Sequence, residues 1–207
     1  VVQGEGGVYP ADGGYLLGVS QLCRERGALL IIDEVQTGFC RTGKMFACQH
    51  YCLTPDILCC AKSLAGGLPI GAVLIGERVQ NLTPGTHGST FGGNPLVCAA
   101  ALASLKVMEE EGLAQQAADK GAYMMEKLSQ IDSANIREVR GLGLMIGIEL
   151  KQKVAPYLKE LQKRHIIALN AGMTVIRLLP PLVICYDQIN HLLAELKEVL
   201  QSDWVEA

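Results

Sequence analysis

No apolar run in this 207-residue chain approaches the ~20 residues needed to span a bilayer. No stretch has the order of a cleavable signal peptide either. Basic blocks and stripes are missing: 18 Lys and Arg are interspersed with 21 Asp and Glu, for a net charge of -3. Nucleic acid and anionic membrane are therefore poor candidate partners, and small molecules are better ones. A cytoplasmic location is the default expectation. The eight cysteines include no CxxC pair, and their spacing is unlike the disulfide framework of a small secreted domain. What the chain does have is apolar content, 49% of residues. That is enough for a sizeable core in one large domain or two smaller ones.

Two apolar runs organise the middle of the chain. Ala28 to Ile32 and Ile57 to Ala61 are each of buried-strand length, and each runs into one ionisable residue, Asp33 and Lys62 respectively. In an open parallel sheet ligands bind outside the carboxyl ends of the strands, so neighbouring strands of this kind deliver a carboxylate and an amine to one crevice. Pyridoxal phosphate uses both. Its aldehyde forms a Schiff base with a lysine, and a buried carboxylate keeps its ring nitrogen protonated. Either residue alone reads more simply as a polar stop at a strand end.

The remaining pattern is α/β. Gly4 to Gly14 is a glycine-rich loop that carries Glu5, and Gly14 to Arg26 has a helical apolar stripe with Gly27 as its stop. A loop from Glu34 to Gly43 holds Gln36, Lys44 to Tyr51 is a short helix, and Ala72 to Ile75 is a strand after Gly66, Gly67 and Gly71. Residues 86–94 are rich in small and hydroxyl side chains, including Ser89 and Thr90, and precede a helix that Asn94 caps and Pro95 begins. Such a loop suits an anion. Helices follow over Pro95 to Glu110 and Leu113 to Ile131. A long strand is expected over Val139 to Leu150, with Gly141, Gly143 and Gly147 on one face against a helix. A helix (Val154 to Arg164), strands (Ile166 to Asn170, Val175 to Leu179) and a final helix (Asp187 to Gln201) complete the pattern, with Arg177 inside an apolar strand.

Cys48, His50, Cys52, Cys59 and Cys60 fall close together and raise a zinc site as a rival reading. Adjacent Cys59 and Cys60 point to opposite faces of a strand, which argues against it, and buried cysteine behaves as a small hydrophobe. No metal ligands are assigned.

The segments QGEGG (Gln3 to Gly7), IIDEVQTGFCRTGK (Ile31 to Lys44), PDILCCAKSLAGGLPIGA (Pro55 to Ala72), GSTFGGNP (Gly88 to Pro95), VRGLGLMIGIEL (Val139 to Leu150) and AGMTVIRLLPPLVI (Ala171 to Ile184) resemble the class-III aminotransferases that depend on pyridoxal phosphate. Acetylornithine and carrier-protein-linked lysine aminotransferases are the nearest in likeness, with ornithine aminotransferase next. The resemblance covers nearly the whole chain in order. It implies fold type I, with residues 1–110 the C-terminal part of a large cofactor-binding domain and 111–207 a small C-terminal α/β domain. It implies that an N-terminal half is missing, so the chain alone is expected to be inactive. It makes Lys62 the catalytic Schiff-base lysine, Asp33 the pyridinium partner and Gln36 the partner of the phenolic oxygen. Ser89 and Thr90 reach the cofactor phosphate of a neighbouring subunit in a homodimer, and Glu5 and Arg177 meet the substrate. The implied reaction moves a terminal amine of an amino acid to 2-oxoglutarate, in arginine- or lysine-type biosynthesis. An aminomutase, a decarboxylase or another aminotransferase of the same fold, or a non-catalytic zinc-binding fragment, is the alternative. Cys40 departs from the family, which commonly has Gly there.

Overall fold

The computed structural model describes residues 1–85 and 87–202. Thr86, the first residue of the 86–94 loop, lies outside them. The described residues form two compact units, one of Val1 and Ala11–Gln115, the other of Val2–Pro10 with the chain from Gln116 onward. The boundary between them falls between Gln115 and Gln116, and Val2–Pro10 belongs with the second unit. That segment folds as a small antiparallel hairpin, β1 (Val2–Gln3) and β2 (Tyr9–Pro10), and joins the second unit.

In the first unit α1 (Gly13–Glu25) starts at Asp12, whose Oδ1 accepts the Tyr15 N–H at 3.0 Å. β3 (Ile31–Asp33) and β4 (Ile57–Cys60) pair in parallel with Asp33 opposite Cys59, and β5 (Ala72–Ile75) pairs antiparallel with β4. The sheet is mixed for a reason of chain length: residues 61–71 are too few for the crossover that a parallel return needs, so β5 comes back antiparallel. Asp56 ties the start of the parallel pair, accepting the Leu30 N–H at 2.7 Å and the Arg78 guanidinium at 2.9 Å. The expected 44–51 helix is a shorter 3₁₀ turn, Ala47–Tyr51. α2 (Pro95–Glu110) begins with Asn94 accepting the Val97 N–H at 3.2 Å.

The second unit is built on a four-stranded antiparallel sheet in the order β6 (Ile136–Leu142), β7 (Met145–Leu150), β9 (Val175–Leu178), β8 (Leu169–Ala171). The single long strand expected over Val139 to Leu150 is a hairpin: Leu142 pairs with Met145 and Gly143 turns the chain at φ 57°. Its glycines do not share a face against a helix. A Cβ on Gly121 would sit 2.2 Å from the Gly143 carbonyl, so Gly143 lies against the helix α3 (Leu113–Ser129), whereas Gly147 lies under Val8. The core contains Met124 and Leu128 of α3, Ile146, Ile148 and Leu150 of β7, Tyr157 and Leu161 of α4 (Ala155–Lys163), and Ile189 and Leu196 of α5 (Tyr186–Gln201). Every residue of β7 is buried. Alternation sends Ile146, Ile148 and Leu150 into that core and Gly147 and Glu149 to the opposite face.

Candidate active site

Asp33 closes β3, and the Glu34 N–H donates to the Cys59 carbonyl at 2.8 Å, carrying the parallel pairing one step past it. Lys62 follows β4 by two residues and opens a 3₁₀ turn, Lys62–Ala65. Both side chains are exposed at the carboxyl ends of adjacent parallel strands. Asp33 Oδ1 accepts the Val35 N–H at 2.8 Å, which sets its carboxylate at the head of the loop. Lys62 has φ 45°, a left-handed conformation that costs a side-chain-bearing residue about 1–3 kcal/mol. The turn after it relies on Gly66 and Gly67, at φ 60° and 118°.

The loop between them is fixed by a residue that sequence reasoning did not single out. Glu34 is fully buried: one carboxylate oxygen accepts the Cys48 N–H at 2.7 Å and the other accepts the Thr37 hydroxyl. Gln36, half-buried, sits in the turn that this anchor closes. The signal was alternation, since adjacent Asp33 and Glu34 must leave the strand end on opposite sides. Burial, and then the Glu34 charge, push the Cys48 thiol up to about 11, and burial lowers Arg41 to about 10. Cys40 is buried with φ 69°, so the position asks for glycine-like freedom and a cysteine occupies it.

Ser89 and Thr90 lie in a different loop of the same unit. Ser89 Oγ accepts the Gly92 N–H at 3.1 Å, and Thr90 is exposed. Ser89, Phe91, Gly92 and Asn94 face Ile70 and Gly71 across a cleft of about 540 Å³ whose lining includes neither Asp33 nor Lys62.

In the second unit Arg177, on β9, is buried, and its Nη1 donates to Glu5 Oε1 at 2.6 Å. The side chains are 8% and 73% exposed, so a solvent-facing carboxylate caps a buried guanidinium. Among the described residues the buried Nε of Arg177 has no hydrogen-bond partner.

A sequence-family model described as aminotransferase class-III matches residues 1–200. The chain belongs to the class-III aminotransferases. Over 203 residues it is 53% identical to the [LysW]-aminoadipate semialdehyde transaminase of Deinococcus radiodurans, covering 97% of this chain and 47% of that protein. It is 47% identical to the acetylornithine aminotransferase of Bacillus subtilis, over 96% of this chain and 52% of that one. The ornithine aminotransferase of Toxoplasma gondii superposes with a TM-score of 0.92 at 39% identity, covering 96% of this chain and 49% of that structure. The chain spans about half the length of these relatives. Its fold is accordingly part of the α/β fold of the pyridoxal-phosphate aminotransferases.

In this class-III aminotransferase chain the cysteines are free thiols, and Cys60 is buried in β4 while its neighbour Cys59 is only half-buried. Among the described residues no three His, Cys, Asp or Glu side chains gather as a metal site, and no helix is long and apolar enough to cross a membrane. The expected crowd at Cys48, His50 and Cys52 is dispersed by its own contacts: Cys48 backs onto Glu34, His50 Nε2 lies 2.9 Å from the Thr42 carbonyl, and Cys52 is exposed.

Proposed function

We propose that this chain is the C-terminal half of a cytoplasmic, homodimeric, pyridoxal-phosphate-dependent aminotransferase. It moves the terminal amine of an ornithine-, acetylornithine- or carrier-linked lysine-type donor to 2-oxoglutarate, in arginine- or lysine-type biosynthesis. The first unit is the rear of the cofactor-binding domain and the second the small domain. The observation that carries the reading is the carboxylate of Asp33 and the amine of Lys62 at the carboxyl ends of adjacent parallel strands, in a chain of this family. The donor set fits the cofactor. An acid and an amine follow the carboxyl ends of two paired parallel strands, and Gly66 and Gly67 in the turn after Lys62 carry no side chains.

When bound, pyridoxal phosphate supplies an electron-withdrawing ring conjugated to the reacting carbon of the substrate. Asp33 would pair with the ring nitrogen and keep it protonated. The Gln36 amide would face the phenolic oxygen of the bound cofactor and could donate to it. Lys62 would hold the cofactor through its amine and, when free, would serve as the base and acid that moves the proton of the substrate carbon bearing the reacting amine. Ser89 and Thr90, with backbone N–H groups of their loop, would receive the cofactor phosphate of the neighbouring subunit. Arg177 takes the carboxylate next to the reacting carbon of the keto acid, to which its planar fork is matched. Glu5 covers that arginine while a terminal amine reacts. The test is amino transfer by the full-length protein from these donors, assayed with and without 2-oxoglutarate. Keto-acid dependence separates transfer from mutase or decarboxylase chemistry. Asp33→Ala should lower the rate by roughly 10²–10³-fold with the fold retained; an unchanged rate contradicts the assignment.

A further inference from the structure

Glu5 stands on the β1–β2 hairpin, and the contacts of that hairpin identify what decides where its carboxylate rests. Arg140 of β6, Gly147 of β7 and Arg177 of β9 are direct partners across the sheet, so all three share one face. The two arginines are two strand spacings apart, about 10 Å. Gly147, between them, is the place where the hairpin crosses. A Cβ there would meet the Val8 side chain at 2.9 Å and the Gly7 carbonyl at 3.2 Å. On the far side from Arg177 the buried Arg140 holds the hairpin backbone. Its Nε donates to the carbonyls of Gly7 at 3.0 Å and Val8 at 3.2 Å, and its Nη2 to Gly7 at 2.7 Å. Its Nη1 donates to Glu149 at 2.6 Å and Glu138 at 2.8 Å, and its guanidinium lies 3.7 Å from the centre of the Tyr9 ring. Tyr9 in turn donates its hydroxyl to Glu149 at 3.1 Å. Hydrogen bonding and the charge of Arg140 keep the Glu149 carboxyl below its usual range, so it remains an anion across the neutral region.

We propose that Arg140 is a positioning residue for the Glu5–Arg177 pair, and that its clamp on Gly7 and Val8, seated over Gly147, sets how readily Glu5 covers Arg177. This rests on the reading of that pair as the substrate-carboxylate gate. With Gly7 and Val8 pinned and Val2–Gln3 paired to Tyr9–Pro10, the hairpin cannot lift as a body. The motion that uncovers Arg177 is confined to Glu5 and Gly6, since the buried Gly4 carbonyl accepts the Gly7 and Val8 N–H groups at 3.4 and 3.3 Å. The covered state is therefore poised by the hairpin anchor as well as by the ion pair itself, and Arg140 acts on selectivity without touching substrate. Its work needs the guanidinium fork, because no single ammonium reaches two carbonyls and two carboxylates from one stem.

The experiment uses the full-length holoenzyme and measures the two half-reactions separately by stopped flow, terminal-amine donor in one and 2-oxoglutarate in the other. Arg140→Lys should slow the donor half by about threefold to tenfold while the keto-acid half stays within about twofold, and Gly147→Ala should act in the same direction. If Arg140→Lys does not fold, Tyr9→Leu, which removes the ring beneath the guanidinium and the bond to Glu149 from a part-exposed position, carries the same expectation. In a Glu5→Ala background, Arg140→Lys or Tyr9→Leu should add no further shift in the ratio, because the group being positioned is gone. Equal slowing of both halves, or a full additional shift without Glu5, overturns the positioning role. A Glu5→Ala enzyme whose half-reaction ratio does not move overturns the gate reading itself, which separates the two failures.

Discussion

Replacing Glu5 by Ala removes the carboxylate 2.6 Å from a guanidinium that is 8% exposed, while the carboxylate itself is 73% exposed. Two unit charges about 4 Å apart attract by about 1 kcal/mol in water and about 4 kcal/mol at the effective dielectric of a protein surface. The openness of Glu5 places the pair toward the lower limit, at about 1–2 kcal/mol. A keto acid must displace Glu5 before its own carboxylate reaches Arg177, so it loses that amount in the wild-type enzyme and recovers it in Glu5→Ala. A terminal-amine donor loses instead, because it meets a buried, uncovered cation. Each 1.4 kcal/mol is tenfold, so the keto-acid half should speed up about 5- to 30-fold, and the ratio of keto-acid to donor half-reaction rates should rise by at least that much. Single-turnover spectra of the full-length variant, taken for each half separately, read the ratio directly. An unchanged ratio, or equal loss in both halves, would mean that Glu5 and Arg177 form a structural ion pair and nothing more.

Alkylation at pH 8 with mass mapping should label exposed Cys52 and Cys185 first and leave buried Cys40, Cys48 and Cys60 unmodified until the protein unfolds; early labelling of Cys48 would contradict its burial and its thiol pKa of about 11. Because the folded-state value of Cys48 lies above the unfolded one, its contribution to stability is full below about pH 8.5 and is lost as pH rises toward 11. For Glu149 the sign is opposite: its folded value is depressed, first by the Arg140 hydrogen bond, so its contribution is present above about pH 4.3 and is lost as pH falls through the folded value. Glu149→Gln should therefore flatten the acid limb of a thermal-melt pH profile of the full-length protein, and an unaltered acid limb would refute the claim.

Strand ends and caps were legible in the sequence because their signals are local. Apolar runs ending at Asp33 and Lys62, the Asn94 helix start and the Gly27 stop all rest on residues within a turn of the feature they specify, whereas the Asp12 cap was not singled out. The class-III membership and the α/β class were legible for a different reason, since several motifs keep their order along most of the chain. What the pattern hid was set by distant pairing. An apolar stretch from Val139 to Leu150 looks like one strand, and only its pairing with itself reveals the turn at Gly143. Gly147 looked like a helix-packing glycine, but it makes room for the hairpin of Val2–Pro10, more than 130 positions earlier. Glu34 and Arg140 escaped notice because a charged residue inside an apolar segment declares its role through its partners, here the Cys48 amide and the Gly7 carbonyl.

The covalent role of Lys62 is the central claim, and reduction followed by peptide mapping tests it most directly. Treating the full-length protein with borohydride should abolish its visible absorption band and leave the reduced cofactor on a peptide containing Lys62, the residue two places beyond β4. Lys62→Ala should lack both the band and the adduct. A reduced adduct on any other lysine, or an undiminished band in Lys62→Ala, would contradict the account.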